Sequence, residues 1–221
     1  EFIKRYKRFF VDVKIGNEKV VAHCPNTGSM MGLIKKGNKV WLSKSDNPKR
    51  KLQYTLQIIE DGNSKIGVNT HLTNKIVLES LNERKIENFK NFTDIKQEVN
   101  FGEGTRFDFL ITEKTKKSFI EVKNVTLSRN KFIAEFPDAV TSRGQKHIKE
   151  LLKASNKGYN VYLLYVIQRD DCKNFKLAED IDPDYCDLLK KAVKRKLNVL
   201  CYDCKFSPKG IKLNQKIMFK I

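Results

Sequence analysis

Two short stretches near the middle of the chain decide the fold: Arg106-Phe107-Asp108-Phe109-Leu110-Ile111 and, after a short connection, Phe119-Ile120-Glu121-Val122-Lys123. Both are rich in β-branched and aromatic residues, and the connection suits an antiparallel hairpin. Because residues i and i+2 of a strand lie on one face, Glu121 and Lys123 project together. The pairing predicts that the carboxylate of Asp108 lies beside that of Glu121.

Two carboxylates and a lysine are the groups that metal-dependent cleavage of a phosphodiester needs. Carboxylate oxygens hold hard divalent cations such as Mg²⁺. The metal activates water and neutralises charge on the phosphate, while the lysine positions or helps to deprotonate the nucleophile. The same spacing is also found in solvated, salt-bridged hairpins. The apolar surroundings favour the functional interpretation, because charged side chains within apolar strands are costly unless they are paired or bind a ligand.

The segments around this pair alternate between helical and extended patterns. Apolar spacing predicts helices at residues 72–88, 141–155 and 183–197, and strands at residues 95–100, 160–167, 199–206 and 210–219. This order of elements is typical of a mixed sheet flanked by helices.

Residues 2–70 have a different pattern, with short strands broken by Gly, Asn and Pro turns. The predicted strands are residues 5–15, 19–23, 39–42, 54–59 and 65–68. Five short strands in such a length favour a small Greek-key barrel of the OB type, a fold that commonly binds oligonucleotides. An SH3-like barrel is the competing interpretation. The fold class is therefore α+β with two domains, a barrel at residues 1–80 and a mixed α/β domain at residues 81–221.

The charge balance favours a polyanionic partner. The chain has 44 Lys and Arg against 26 Asp and Glu, a net charge of +18. Such an excess promotes binding to nucleic acid, an anionic membrane or an acidic protein. A membrane-binding protein would need a basic amphipathic helix with a broad apolar face, and the pattern offers none. A lysine-rich surface that merely solvates the protein is the alternative.

Other compositional features predict a cytoplasmic protein. No apolar run is as long as a membrane span, and the N-terminal residues do not resemble a signal peptide. Five cysteines, an odd number, argue against a disulfide scaffold. Cys201 and Cys204 have redox spacing but lie in a predicted strand, so they are interpreted as packing residues. The chain lacks a Walker-type loop and a Gly-x-Gly-x-x-Gly motif, so no nucleotide cofactor is predicted.

Five motifs that follow one another along the chain resemble the sugar fermentation stimulation protein A (SfsA) family. They are His23-Cys24-Pro25-Asn26-Thr27-Gly28-Ser29-Met30, Ser45-Asp46-Asn47-Pro48-Lys49-Arg50-Lys51, Arg106-Phe107-Asp108-Phe109-Leu110, Glu121-Val122-Lys123-Asn124-Val125-Thr126-Leu127 and Phe136-Pro137-Asp138-Ala139-Val140-Thr141-Ser142-Arg143-Gly144-Gln145-Lys146-His147.

The resemblance implies an N-terminal OB-like domain and a C-terminal domain similar to PD-(D/E)xK nucleases. Asp108, Glu121 and Lys123 match the core of that nuclease motif residue by residue, although Phe107 stands where the motif has its proline. Members of the family are described as DNA-binding proteins, originally linked to the regulation of sugar-utilisation genes.

Two further residues are candidates for the same site. If a helix begins near Thr141, Gln145 lies on an inward stripe with Ile148 and Leu152, where its amide could contact a metal-bound water or a phosphate. A capping or surface glutamine is the alternative. Glu98 resembles an acidic position of the family and would extend the metal shell, or else it is a surface carboxylate.

Basic residues in three places are predicted to contact DNA. One group is interleaved with aromatic residues near the N-terminus, a mixture suited to phosphate contact and base stacking. A second follows Asn47-Pro48 in a loop, and a third crowds the first turns of the helix at residues 141–155, whose positive end favours phosphate. Plain solvation is the alternative for each. The predicted contacts are Arg5, Lys7, Arg8, Lys49, Arg50, Lys51, Arg143, Lys146 and His147.

The sequence thus predicts a DNA-binding protein, largely tolerant of base sequence, with a nuclease-type site that uses Mg²⁺ or Mn²⁺. Asp108, Glu121 and Glu98 are the predicted metal ligands, and Lys123 and Gln145 complete the catalytic set. Whether such an enzyme would be an endo- or an exodeoxyribonuclease stays open. One alternative is a non-catalytic DNA-binding regulator of sugar-utilisation genes with a vestigial nuclease fold. Another is a module that binds acidic proteins.

Overall fold

The computed structural model describes residues 1–102 and 104–220. Over these residues the chain forms an N-terminal sheet, a large central sheet flanked by helices, and a smaller third sheet. The strands of the N-terminal sheet are β1 (Phe2–Tyr6), β2 (Phe10–Ile15), β3 (Glu18–His23), β4 (Val40–Lys44), β5 (Tyr54–Asp61) and β6 (Ser64–Gly67). The strands that follow are β7 (Asp94–Asn100), β8 (Arg106–Glu113), β9 (Lys116–Val125), β10 (Leu127–Asn130), β11 (Ile133–Phe136), β12 (Asn160–Ile167), β13 (Asn174–Leu177), β14 (Asn198–Ser207), β15 (Gly210–Lys216) and β16 (Met218–Lys220).

The N-terminal sheet has the strand order β1-β2-β3-β5-β4, and β6 pairs with β5. Its apolar face encloses a core of its own that includes Phe2, Val11 and Leu56. The single strand predicted for residues 5–15 is wrong. Lys7 and Arg8 have positive φ angles of 47° and 62°, and this left-handed backbone turns the chain back so that β1 and β2 form a hairpin.

The central sheet has the order β15-β14-β12-β9-β8-β7. β9, β12 and β14 are parallel to one another, whereas β7, β8 and β15 are antiparallel to their neighbours. Parallel strands in the middle of a sheet must be covered on both faces. The mixed sheet that the sequence predicts is therefore present, and it is packed on both sides.

Three helices cover the central sheet: α1 (Thr73–Asn82), α2 (Ser142–Asn156) and α3 (Pro183–Lys194). α1 packs on one face through residues such as Val77 and Leu81. α2 and α3 pack together on the opposite face, where Ile148 and Leu189 join the larger core. The sheet thus lies between α1 and the α2–α3 pair.

The third sheet joins short strands in the order β10-β11-β13-β16. β11, β13 and β16 are parallel, and β10 forms a hairpin with β11. The sequence pattern did not predict this sheet; the single strand predicted for residues 210–219 covers β15 of the central sheet and runs into β16. Its strands are three or four residues long, which is too short for an alternating pattern to stand out.

The packing divides the chain between β6 and α1. The predicted boundary at residue 80 falls inside α1, whose apolar side packs on the central sheet and not on the N-terminal core. Direct contacts join the two parts, since Gly67 N donates to Gln168 O at 2.9 Å and Lys65 N donates to Asp170 Oδ1 at 2.8 Å. A Cβ on Gly67 would lie 2.3 Å from Gln168 Oε1, so a larger residue at this position would displace the Gln168 side chain.

Within residues 1–102 and 104–220, no helix is long and apolar enough to cross a membrane. The five cysteines are buried and free, and Cys201 and Cys204 belong to the hydrophobic cores.

Candidate functional site

β8 and β9 separate where the sequence places the two acids. Their backbone pairing runs from Glu113 and Lys116 as far as Phe109 and Ile120. Beyond that pair, the backbone N–H of Val122 donates to Asp108 Oδ2 at 2.7 Å. The Asp108 carboxylate thus accepts a hydrogen bond from the backbone of β9 at the point where the two strands separate.

The other oxygen of Asp108 is held by α1. Asn74 Nδ2, in the first turn of that helix, donates to Asp108 Oδ1 at 2.7 Å. The carboxylate is therefore fixed by one backbone and one side-chain donor, and its orientation depends on the packing of α1 against the central sheet.

Glu121 is 3% exposed, and its two oxygens have different surroundings. Oε1 accepts a hydrogen bond from Lys123 Nζ at 2.7 Å and contacts His147 Nδ1. Oε2 is buried and has no hydrogen-bond partner among the described residues. Lys123 and His147 neutralise one oxygen of this carboxylate, and the other oxygen is buried without a partner among the described residues, which is a costly arrangement.

The two acids have opposite pKa shifts. Burial, assisted by the nearby charge of Glu121, raises the pKa of Asp108 to about 6, although hydrogen bonds from Val122 and Asn74 act in the other direction. Burial also acts to raise the pKa of Glu121, but Lys123 and His147 outweigh it and hold that pKa below its ordinary value. The pair therefore combines one acid that readily takes up a proton with one that stays ionised.

His147 belongs to this cluster, although the sequence predicted that it would contact DNA. It is 7% exposed, and its Nδ1 is 3.2 Å from Lys123 Nζ. α2 presents it on the helix face that also buries Gly144, Ile148 and Leu151. His147 thus contacts the glutamate and the lysine of the site and is not a freely exposed phosphate contact.

Gln145 points elsewhere. Its Nε2 donates to Asp182 Oδ1 at 3.1 Å, and Asp182 is the buried N-cap residue of α3. The inward stripe predicted through Gln145 and Leu152 is therefore displaced by one position, because the buried face of α2 contains His147 and Leu151. Gln145 links α2 to α3 in this structure and does not reach Asp108.

Glu98 lies across the strands from Asp108 but turns away from it. In β7 it stands between the residues that pair with Phe107 and Phe109, and its φ angle is 53°. Its Oε2 forms an ion pair with Arg106 Nε at 2.7 Å. In the described part of the chain, no group of three or more His, Cys, Asp or Glu side chains is arranged to hold a metal ion. Asp108 and Glu121 are the acids that the structure brings together.

Two clefts flank the cluster. A cleft of about 590 Å³ has His147, Arg143, Lys146 and Arg106 in its lining, and a second cleft of about 390 Å³ lies against Lys123. Arg143 lines both of them. His147 thus lines the first cleft and Lys123 the second, and basic side chains line both clefts.

The remaining predicted DNA contacts differ in availability. Arg5 donates to Asn26 O at 2.6 Å and to Gly28 O at 2.9 Å, and Arg50 donates to Thr55 Oγ1 at 2.7 Å, so both have internal partners. The side chains at the other positions in this set are exposed, although Lys146 Nζ also donates to Gly104 O at 2.9 Å. These positions are Lys7, Arg8, Lys49, Lys51, Arg143 and Lys146.

Sequence reasoning missed Asn74 and did not foresee the position of His147. Asn74 has no local signal, because it precedes Asp108 by 34 residues and meets it through helix packing. For His147 there was a signal, the spacing of Gly144, His147, Ile148 and Leu151 on one face of a helix.

Asp108 and Glu121 are also the residues that could hold a divalent cation. Their donor set is carboxylate oxygen, which hard cations prefer. The buried Oε2 of Glu121, without a partner among the described residues, is the observation that fits a cation. Lys123 and His147 occupy the opposite oxygen, and they leave Oε2 free.

Known proteins are similar to this chain over nearly its whole length. The model of the SfsA N-terminal OB domain matches residues 3–68, and that of the sugar fermentation stimulation protein RE domain matches residues 71–210. A sugar fermentation stimulation protein homolog of Pelagibacter ubique is 53% identical over 98% of this chain and 94% of its own length. The homolog of Pseudoalteromonas atlantica is 45% identical over 97% of this chain and 93% of its own length.

A solved structure has the same fold. It is described as Pyrococcus furiosus SfsA in complex with Ca²⁺, has a TM-score of 0.91 and 26% identity, and the match covers 100% of this chain and 94% of that one. The OB-type interpretation of the N-terminal domain is confirmed, and an α/β domain follows it. The predicted resemblance is likewise confirmed: the chain belongs to the sugar fermentation stimulation protein (SfsA) family.

Proposed function

We propose that this protein binds DNA and hydrolyses its phosphodiester bonds, with a divalent cation held by Asp108 and Glu121. The observation that carries the proposal is the buried Oε2 of Glu121, which has no partner among the described residues and lies near the partly buried acid Asp108. Such a pair is costly without a ligand. The Ca²⁺ of the Pyrococcus furiosus protein supports a divalent cation, and we propose that Mg²⁺ or Mn²⁺ fills this role here.

Each side chain of the cluster has a role in this reaction. The bound cation would activate water and neutralise charge on the phosphate. Lys123 Nζ, held beside Glu121 Oε1, orients the attacking water and the phosphate. His147 keeps Lys123 in place through their 3.2 Å contact. The water oxygen gives up one proton and bonds to phosphorus, the P–O ester bond breaks, and the leaving oxygen takes up one proton in turn.

DNA binding is supported by charge and by fold. The net charge of +18 favours a polyanion, and Arg143 and Lys146 stand at the larger cleft. The OB domain supplies a second surface of a type that often binds oligonucleotides. Contacts made mainly to phosphates carry no base information, so binding should be largely tolerant of sequence.

The test is an incubation of wild-type protein, at high enzyme excess, with single-stranded, duplex and branched DNA, each with EDTA, Mg²⁺ or Mn²⁺. We expect cleavage that needs the cation and that is lost in Asp108→Asn and in Glu121→Gln. Asp187→Asn is a matched control, since it removes an exposed carboxylate of α3 far from the β8–β9 acids in sequence. Cleavage that survives in both site variants would contradict the proposal.

A second candidate is a non-catalytic DNA-binding regulator of sugar-utilisation genes. The observations in its favour are that Lys123 and His147 already neutralise one oxygen of Glu121, and that Gln145 is engaged by Asp182. In that case the wild-type protein would bind DNA but leave every form intact with Mn²⁺.

A further inference from the structure

The smaller cleft beside Lys123 has a wall that the proposed chemistry does not use. Residues 26–28, in the loop after β3, belong to the N-terminal domain, yet they line the same cleft as Lys123 and Arg143 of the α/β domain. Lys123 therefore lines a cleft that is complete only when both domains are present.

This wall is held rigid from within the N-terminal domain. Arg5 donates to the carbonyl oxygens of Asn26 and Gly28, and Asn26 Oδ1 accepts from Gly28 N at 2.8 Å. Arg5 thus supports the loop from behind. A preformed wall loses little conformational entropy when a ligand binds.

Direct contacts between the domains involve Asp138 and Thr70, which both line the cleft. Ser29 N and Oγ donate to Asp138, at 3.1 Å to Oδ2 and 2.9 Å to the carbonyl oxygen. Thr70 Oγ1 donates to Pro25 O at 2.7 Å, next to the chain connection. The approach at Ser29 is tight, since a Cβ on Gly28 would lie 2.7 Å from Asp138 Oδ2.

The size of the cleft limits what can enter. Its volume of about 390 Å³ is near the lower end of the roughly 300–1,000 Å³ of small-ligand pockets. That is room for about one nucleotide and too small for a base pair. Arg143 lines this cleft and the larger one, so a single strand could pass from one to the other beside Lys123.

We propose that the interdomain cleft is a nucleotide subsite and that the substrate class of this protein is single-stranded DNA. The inference rests on the proposed function. The strand lies along the larger cleft, its phosphates meet Arg143 and Lys146, and the nucleotide beyond Lys123 enters the space walled by residues 26–28. The N-terminal domain thereby forms part of the substrate site.

The experiment fills the cleft. Thr27 is exposed and lines it, so Thr27→Trp adds a large side chain without disturbing a core. Thr115→Trp is the matched control: it enlarges an exposed threonine in a cleft with Lys116 and Lys157, at the opposite end of β9. Fluorescence anisotropy with Ca²⁺ measures binding of a labelled five-nucleotide single strand and of a blunt duplex, and gels verify that the DNA is intact.

We expect wild-type protein to bind the single strand at least about tenfold more tightly than the duplex, since Phe136 lines the cleft and stacking of one unpaired base on an aromatic ring commonly contributes such a factor. Thr27→Trp should weaken single-strand binding at least about tenfold, and Thr115→Trp should leave it within about twofold. If Thr27→Trp binds like Thr115→Trp, or if the wild-type protein binds the duplex as tightly, the subsite is wrong while DNA binding stands. If wild-type protein binds neither DNA, the proposed function fails as well.

Photocrosslinking gives a readout that does not depend on a variant. Digestion of the crosslinked protein with trypsin, which cuts after Lys19 and Lys35, releases the peptide 20–35. This peptide contains the wall at residues 26–28. A single strand with one 5-iodouracil base should crosslink to this peptide in wild-type protein. Crosslinks confined to other peptides, with the iodinated base moved along all five positions, would overturn the proposal.

Discussion

Glu121 and Glu135 are both buried glutamates of the α/β domain, but their charges are met in different ways. Glu135 is 0% exposed, and Arg129 holds both of its oxygens, Oε2 through Nε at 3.0 Å and Oε1 through Nη2 at 2.9 Å. Lys176 Nζ lies 3.3 Å from Oε1. Glu121, 3% exposed, has partners for Oε1 and none for Oε2 among the described residues.

The difference separates a structural ion pair from a ligand site. Burial acts to raise the pKa of Glu135, but Arg129 and Lys176 hold it below its ordinary value, so this acid is satisfied by the protein itself. Arg129 also pairs with Asp180, in the segment before α3. Glu121 shares its surroundings with Asp108, whose pKa is raised to about 6. Burial alone does not indicate function; an unmatched acid beside a second acid does.

The sharpest test of this comparison removes one lysine from each glutamate. In Lys123→Ala, DNA cleavage should fall by a factor on the order of 10²–10³, the effect of removing one group that stabilises the transition state. DNA affinity should stay within a few-fold, because one phosphate contact among many is lost. In Lys176→Ala, cleavage should be unchanged. Single-turnover rates and filter binding measure the two effects.

If Lys176→Ala lowers cleavage as much as Lys123→Ala does, the two clusters are not functionally distinct. Equal cleavage by wild-type protein and Lys123→Ala would instead remove the lysine from the catalytic set.

The converse test breaks the structural pair. Arg129→Ala leaves Glu135 buried with Lys176 alone, and we expect a loss of about 3 kcal/mol in the free energy of unfolding, near the lower end for a broken buried pair. Arg143→Ala removes an exposed arginine and should cost less than about 0.5 kcal/mol. Urea denaturation measures both. Equal stabilities of the two variants would show that Arg129 does not sustain the buried charge.

The sequence predicted those parts that depend on neighbouring strands. β8 and β9 are joined by a short connection and read as apolar strands, so the proximity of Asp108, Glu121 and Lys123 could be predicted from spacing alone. Long elements such as α2 and β12 were also predicted, because their patterns extend over several turns or alternations.

The parts that depend on how elements pack could not be predicted in the same way. Asn74 reaches Asp108 because α1 lies on one face of the sheet, and His147 reaches Glu121 because α2 lies on the other. The predicted orientation of Gln145 was wrong, because a local pattern does not reveal that its amide donates a hydrogen bond to Asp182. The third sheet was missed because three- or four-residue strands carry too few alternations.

The raised pKa of Asp108 predicts a pH dependence that Glu135 does not share. The folded protein keeps the Asp108 proton up to a pKa of about 6, whereas the unfolded chain loses it near 3.8. Between these values the folded state binds more protons, so stability falls as the pH rises. We compare the free energies of unfolding of the wild-type protein and of Asp108→Asn in EDTA. The wild-type value relative to that of the variant should decrease by about 2–3 kcal/mol from pH 4 to pH 7, because one unit of pKa shift corresponds to about 1.4 kcal/mol.

Urea titrations across this pH range measure the difference, and Asp187→Asn, which removes an exposed carboxylate, supplies the control. If the stability of the wild-type protein relative to Asp108→Asn does not change from pH 4 to pH 7, the pKa of Asp108 is not raised in the folded protein.

The smallest effect concerns charges that belong to neither cluster. Lys49 and Lys51 are exposed in the loop between β4 and β5, next to Arg50, which is engaged by Thr55. If the OB domain contributes phosphate contacts, Lys49→Ala/Lys51→Ala should weaken DNA binding a few-fold for all base sequences. The slope of log K against log salt should become shallower by about 1–2, since about 0.7–0.9 of a counterion is released per phosphate contact. Lys191→Ala/Lys194→Ala, with the same charge change in the last turn of α3, should leave the slope unchanged. An equal change of slope in both double variants would show that these lysines act through net charge and not through a contact on the OB domain.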